Sequence, residues 1–264
     1  MSGSTHVHWE TVYSEKHERD LSWFQESPEP SLELIVRAGA TPASDVIDIG
    51  GGASRLVDAL LARGFAHVSV LDLSETALAK ARARLGDGAE KVKWIAADVT
   101  AWQPDARYDV WHDRAAFHFL TEPDAQRAYV ERLRLALRDG GHAIIATFAH
   151  DGPEKCSGLP VARHSAETIG ALLGTEFALV DARRHEHATP GDRCKNFSSR
   201  RSCGARTKLG DAAQQKRVRS WNEACPSACA PPCSPLVNCS SHPAGAENAL
   251  QTRHRNISAL PQPA

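Results

Sequence analysis

Val46-Ile47-Asp48-Ile49 is an apolar, β-branched run that passes directly into Gly50-Gly51-Gly52, and Asp72 closes the next such run, Val68-Ser69-Val70-Leu71-Asp72. Glycines at that point let the backbone turn sharply and let a ligand approach it closely. An acid at the end of the following strand can accept hydrogen bonds from both hydroxyls of a ribose, so the two segments describe a nucleoside pocket at the carboxyl edge of a parallel sheet. A dinucleotide suits it less well. The G-x-G-x-x-G fingerprint places Gly50 and Gly52 but requires a small residue where Arg55 stands, and Asp48 lies where a pyrophosphate would meet a like charge. These residues argue against a nicotinamide enzyme and for a cationic ligand without phosphate.

Periodicity along residues 31–190 alternates helices with short β-rich runs, the pattern of a sheet covered on both faces. Strands are expected near 45–49, 67–72, 91–96, 107–111 and 142–148, with a sixth running from Phe177 toward His187. Helices are expected near 31–39, after the glycine turn on Leu56, Val57, Leu60 and Leu61, behind a Ser74 cap, from Pro123 to Leu137, and over 165–173. The fold class is α/β, a Rossmann-like doubly wound sheet.

The near-neutral total charge hides an asymmetry. Residues 1–192 hold 20 Lys+Arg against 29 Asp+Glu, whereas residues 193–264 hold 11 against 3. The last 72 residues contain nine large apolar side chains, too few to offset chain entropy, so disorder is expected there. Six of the seven cysteines lie in that tail and one, Cys156, in the acidic part, a distribution that fits a reducing cytoplasm better than a disulfide framework. No apolar run approaches the ~20 residues of a membrane span. Three parts follow: an amino-terminal flap over 1–30, a folded domain over 31–191, and a basic Cys/Pro/Arg-rich tail over 192–264.

Asp48-Ile49-Gly50-Gly51-Gly52-Ala53-Ser54 with Val70-Leu71-Asp72-Leu73-Ser74 resembles the first motif and following acid of class I S-adenosylmethionine-dependent methyltransferases. The likeness continues through Trp94 to Val99, Tyr108 to Arg114 and Leu137 to His142. It implies S-adenosylmethionine as the methyl donor, with Asp48, Gly50, Gly51 and Gly52 at its methionine half, Asp72 and Leu73 at the ribose, and Asp98 with Val99 at the adenine edge. On the acceptor side it implies the stretch His112-Asp113-Arg114-Ala115-Ala116-Phe117-His118-Phe119, where His112 or His118 is a candidate base and Asp113 an orienting carboxylate. That stretch is also similar to the Asp-Lys-Gly loop of lysine methyltransferases that act on elongation factor 1A and citrate synthase, so the acceptor is expected to be a small molecule or a protein lysine. It differs from the Asp/Asn-Pro-Pro-aromatic loop of nucleic-acid methyltransferases, which argues against a nucleic-acid partner. Ahead of the core, Trp9, Tyr13, Trp23 and Phe24 form either a lid that excludes water or an ordinary flap. Cys156 is placed to border the acceptor pocket.

Such a sheet needs an antiparallel seventh strand after Pro190, and residues 193–204 do not read as one. Regrouping the codons from 192 onward by one base allows a Gln or a stop, then a Phe or Leu and a terminal Arg or Trp at the family's positions, which points to a frameshift near codon 191; a natural extension is the alternative. A missing strand raises a second functional expectation, a cofactor-binding remnant impaired in catalysis. Cys225, Cys229, Cys233 and Cys239 lack paired C-x-x-C spacing, so no metal is expected.

Overall fold

The computed structural model describes residues 3–186 and 215–224, all within Met1–Ala228, the larger of two units into which the chain divides. Seven strands form one sheet: β1 (Asp45–Ile49), β2 (His67–Asp72), β3 (Val92–Ala96), β4 (Tyr108–Arg114), β5 (Leu137–Phe148), β8 (Phe177–Glu186) and β9 (Lys216–Ala224). Their order is β3-β2-β1-β4-β5-β9-β8 and every pair is parallel. Two short strands, β6 (Lys155–Cys156) and β7 (Leu159–Pro160), make a separate hairpin whose turn puts Ser157 and Gly158 at φ 50° and 83°.

The helices are α1 (Gly3–Glu15), α2 (Glu29–Arg37), α3 (Leu56–Ala62), α4 (Glu75–Leu85), α5 (Pro123–Ala136) and α6 (Ala166–Leu173). Local chemistry sets several of their ends. The Ser74 hydroxyl accepts from the Ala77 amide at 3.1 Å, Pro123 opens α5, and Ser165 with Thr168 forms a reciprocal cap on α6.

Alternation along the strands divides the core into two layers. Ile47, Ile49, Leu71, Trp111 and Ile145 pack with Tyr129, Leu133, Ile169 and Leu173 of α5 and α6. Val46, Val68, Val70, Val110 and Ile144 pack with Ile35, Leu56, Leu60 and Leu78 of α2, α3 and α4. Because β1 pairs with β2 on one side and β4 on the other, the strand order reverses at β1, which opens a crevice at the carboxyl ends of β1 and β4.

β9 corrects the expectation of a sheet without its seventh strand. It lies between β5 and β8, parallel to both, and is drawn from residues beyond the stretch where an antiparallel strand was sought. Val218 and Trp221 are three apart and so face opposite sides of the sheet, each entering one of the two core layers. Burying them and pairing two rows of backbone groups explains why nine residues of poor average composition form a strand here. A count over 72 residues dilutes that segment. The stretch 187–214, which includes His187–Pro190 and the postulated frameshift, lies outside the described residues, as do Cys225, Cys229, Cys233 and Cys239. Among the described residues no helix is long and apolar enough to cross a membrane.

Candidate functional site

The glycine turn is built by hydrogen bonds as well as by composition. Gly50 and Gly51 donate their amides to the Leu71 carbonyl at 2.7 and 3.3 Å, folding the end of β1 against the end of β2. Gly50 and Gly52 have φ of 66° and 43°, in the left-handed region. A Cβ on Gly50 would stand 2.6 Å from the Ala116 Cβ, and one on Gly52 would stand 2.8 Å from both Asp72 Oδ2 and the Tyr13 hydroxyl. The bare backbone therefore makes room on one side for the β4 loop and on the other for the carboxylate expected to serve a ribose.

Asp72 is 6% exposed and accepts from the Ser74 amide at 2.8 Å. Burial, reinforced by the charge of Asp48, pushes its pKa up to about 7, against the pull of the Ser74 and Gly52 amides. Above it, burial and then the Asp72 charge raise the Tyr13 phenol well above its usual value, so that hydroxyl stays protonated.

At the end of β4 the structure treats the three candidate catalytic residues differently. His112 reaches the crevice with both ring nitrogens engaged: Nδ1 lies 2.7 Å from Asp48 Oδ1 and Nε2 lies 2.9 Å from the Ser31 hydroxyl. A carboxylate only accepts, so Nδ1 donates to Asp48 and Ser31 completes the ring's bonding. The imidazole thus ties β1, β4 and α2 together. Asp113 turns to the opposite face, where it accepts from the amides of Ala116 and Phe117 and from the Tyr129 hydroxyl at 2.7 Å. Burial lifts its pKa to about 6, and its hydrogen bonds orient the loop rather than an acceptor. That loop holds Ala115 at φ 69°, a left-handed backbone on a non-glycine residue, at the third position of the motif that resembled Asp-Lys-Gly.

His118, the other candidate base, lies away from the crevice. It is fully buried between Phe119 and Phe148, neither ring nitrogen has a hydrogen-bond partner among the described residues, and it lines neither cavity of the site. Burial drives its pKa down to about 3, as expected for an imidazole packed as an aromatic disc.

Two adjoining cavities occupy the crevice. The larger, about 710 Å³ including its open mouth, runs from Ile49 and Gly50 past Asp72 and Leu73 to Asp98 and Val99, with Ala115, Ala116 and Cys156 on its other side. The second, about 580 Å³, is lined by Ser31, Asp48, Gly51, Ser54, Arg55 and His112 among others; Gly50, Trp23 and Arg114 border both. Asp98 closes a turn, since Oδ1 accepts from the amide and hydroxyl of Thr100 at 2.9 and 2.7 Å. It lines the cavity all the same.

The aromatic segment ahead of the core roofs these cavities. Trp9 stands edge-on to Trp23 and Phe119 at ring separations of 5.6 and 5.0 Å, and Tyr13 stands edge-on to Trp23 at 6.1 Å. Phe24 lies over the second cavity beneath the Arg55 guanidinium, 5.5 Å from the ring centre. Ion pairs fasten the roof: Glu18 joins Arg55 and Arg84, and Arg84 also holds Asp58 at 2.7 Å. Glu10 bonds the Thr76 hydroxyl at the start of α4. Arg55, which excluded the dinucleotide fingerprint, thus has a role of its own in holding the amino-terminal aromatic segment. Sequence reasoning missed Ser31 and Tyr129 as site or supporting residues, because each meets the site through a neighbour distant in the chain. The Ser157-Gly158 pair was the one local signal for the hairpin that carries Cys156 to the cavity.

Residues 46–141 match a family described as a methyltransferase domain. Over 124 residues the chain is 30% identical to a ubiquinone/menaquinone biosynthesis C-methyltransferase of Methylobacterium nodulans, covering 46% of this chain and 48% of that protein. Over 158 residues it is 28% identical to a ubiquinone biosynthesis O-methyltransferase of Aromatoleum aromaticum, covering 59% and 60%. The chain therefore spans about half to three fifths of the length of these curated relatives. A chain solved in work on the conversion of a disulfide bond into a thioacetal group during echinomycin biosynthesis shares the fold, with TM-score 0.51, 24% identity, and coverage of 64% of this chain and 77% of that one.

Proposed function

We propose that the chain is a class I, S-adenosylmethionine-dependent methyltransferase, as the match of residues 46–141 to a methyltransferase domain supports, and that it transfers a methyl group from S-adenosylmethionine to a small-molecule acceptor held under the aromatic roof. The glycine turn lying against Asp72 at the wall of a cavity roofed by Trp9 and Trp23 carries this reading. S-adenosylmethionine, when bound, supplies a methyl group already activated on a sulfonium.

The residues present fit that molecule. Gly50 lines both cavities and Gly51 the second, and the walls of the larger cavity carry Asp72 for a ribose and Asp98 with Val99 for an adenine. The second cavity, with Asp48, Gly51 and Ser31, offers polar partners for an amino-acid end. Asp48 and Asp72 give the crevice negative charge suited to a cationic donor and unsuited to a diphosphate. The chain's own contribution is to position donor and acceptor and to keep out water, and the Trp9, Trp23 and Phe119 cluster supplies the apolar wall for the second task. With His112 tied between Asp48 and Ser31 and His118 sealed away from the cavity, the arrangement favours an acceptor that brings its own available lone pair.

The small-molecule reading is preferred to a protein lysine because the larger cavity is walled by Trp9, Trp23 and Phe119, and because the named relatives carry the names of quinone-biosynthesis enzymes. The remnant reading loses its premise, since β9 fills the seventh place in the sheet. Incubating the full chain with methyl-labelled donor and cell extract tests the proposal. Label is expected in the low-molecular-weight fraction; label confined to protein, or tight binding of a nicotinamide dinucleotide in place of S-adenosylhomocysteine, would overturn it.

A further inference from the structure

We propose that Glu223, on the carboxy-terminal strand β9, is a positioning residue for this site: it holds Arg114, and Arg114 in turn holds the lid backbone at Trp23. The inference rests on reading the cavity as the donor's. Arg114 closes β4 and is one of three residues that border both cavities. Its Nε donates to Glu223 Oε1 at 2.8 Å and its Nη1 donates to the Trp23 carbonyl at 3.0 Å. Both side chains are withdrawn from water, at 13% exposure for Arg114 and 5% for Glu223.

The sheet register explains why these groups meet. Arg114 lies beside Ala146 on β5, and Ala146 lies beside Trp221 on β9, so the three share one face of the sheet. Glu223, two residues beyond Trp221, points to that same face at the carboxyl edge, where the lid crosses. His112, two residues before Arg114, shares the face and fastens α2 through Ser31. Two residues of β4 thus clasp the segment that carries Trp23 and Phe24, one through a hydroxyl of α2 and one through a backbone carbonyl.

A guanidinium this far from water needs a charged partner, and Glu223 is the carboxylate that provides it. Among the described residues Arg114 Nη2 is buried with no hydrogen-bond partner, so once Glu223 is removed the bond to the Trp23 carbonyl is what remains to restrain the group. Without the carboxylate the guanidinium turns toward solvent, the Trp23 carbonyl loses its donor, and the lid no longer has a fixed edge over either cavity. A segment whose composition suggested no role becomes part of the apparatus that closes the site.

The test uses the full chain with S-adenosylhomocysteine as the probe, comparing wild type, Glu223→Ala, Glu223→Gln, Arg114→Ala, the Arg114→Ala/Glu223→Ala double variant, and Ser220→Ala as a change on the same strand away from the clasp. Calorimetric titration is expected to show affinity about tenfold weaker in Glu223→Ala, the size expected for a lost charged hydrogen bond. Glu223→Gln keeps an acceptor of the same shape and is expected to lose less, about threefold, while Ser220→Ala stays near wild type. Removing Glu223 when Arg114 is already absent is expected to change affinity less than twofold. The change in tryptophan fluorescence on ligand addition should shrink in Glu223→Ala. Affinities for Glu223→Ala and Glu223→Gln within twofold of wild type, or additive effects in the double variant, would overturn the inference while leaving the cavity reading standing. Absence of S-adenosylhomocysteine binding by the wild-type chain would overturn both. Should Glu223→Ala fail to fold, the Gln variant alone decides: threefold weakening supports the clasp and unchanged affinity refutes it.

Discussion

Asp72 sits under Tyr13 and against Gly52, with burial and the Asp48 charge raising its pKa to about 7. Ribose hydroxyls donate to a carboxylate, whereas a protonated acid offers them a weaker acceptor, so ligand binding should require the ionised form. With a pKa near 7, about one molecule in eleven is ionised at pH 6 and about ten in eleven at pH 8. Affinity for S-adenosylhomocysteine should therefore rise about tenfold over that interval, and binding at pH 6 should release close to one proton. The sign is opposite for the ligand-free fold. A carboxyl whose folded pKa lies above its unfolded value favours the native state below about pH 4 and loses that contribution as pH rises through 7. Titration calorimetry at pH 6, 7 and 8 in two buffers of different ionisation enthalpy measures both affinity and proton release. Asp72→Asn, with no proton to lose, should bind weakly and show no dependence on pH in this range. A flat affinity in wild type, or an equal slope in Asp72→Asn, would refute the link from burial to ribose recognition.

Three further outcomes follow from other parts of the site. Ala115→Gly should stabilise the chain by about 0.5–1 kcal/mol by relieving the left-handed backbone at φ 69°, seen as a rise of a few degrees in Tm; a fall would mean the loop is not strained. Tyr129→Phe should cost about 2–4 kcal/mol in urea unfolding, since it strips a partner from both Trp111 Nε1 and Asp113 Oδ2 in the core, and a loss below 1 kcal/mol would contradict that network. His118→Phe should remove a pH dependence: the buried neutral ring costs wild type about 1.4 kcal/mol of stability per pH unit as pH falls below about 6.5, until the folded pKa of about 3, so the variant should gain about 2 kcal/mol on wild type between pH 7.5 and pH 5. Equal unfolding curves for the two proteins at both pH values would show that His118 reaches water, and with it the possibility of a base.

What the chain discloses without its structure depends on how local the determining contacts are. The turn from Ile49 through Gly52 and the acid at Asp72 could be read directly, because a strand buried on both faces is a continuous apolar run and a left-handed backbone needs glycine. The helix behind Ser74 was equally legible, since a cap acts three residues away. The bonding of His112 was not, because Ser31, Asp48 and His112 come from α2, β1 and β4 and only the sheet register makes them neighbours. The burial of His118 escaped for a related reason: it lies in a single turn between Phe117 and Phe119, too short for any periodicity to show which ring faces the core. β9 escaped because its two anchoring side chains, Val218 and Trp221, matter only when a gap between β5 and β8 is there to receive them.

The parallel stacking of β1, β4, β5 and β9 also explains why chemistry collects on one edge. In a parallel sheet, side chains in register across neighbouring strands share a face, so Asp48 and His112 come into line, and Arg114, Ala146 and Trp221 form the next row toward the carboxyl ends. Apolar residues in these rows fill the layer beneath α2 and α3, while the polar ones at the strand ends lie under the roof made by residues 9–24. The glycine turn and the ribose carboxylate come from the ends of β1 and β2, whereas control of the lid comes from β4 and β9. Variants of the two sets should separate accordingly: Asp72 variants alter how binding responds to pH, and Glu223 variants alter affinity by a factor that stays constant from pH 6 to pH 8. A Glu223→Gln chain whose loss of affinity itself followed the Asp72 titration would mean that the clasp and the ribose carboxylate form one network, and the division of labour between the two pairs of strands would be wrong.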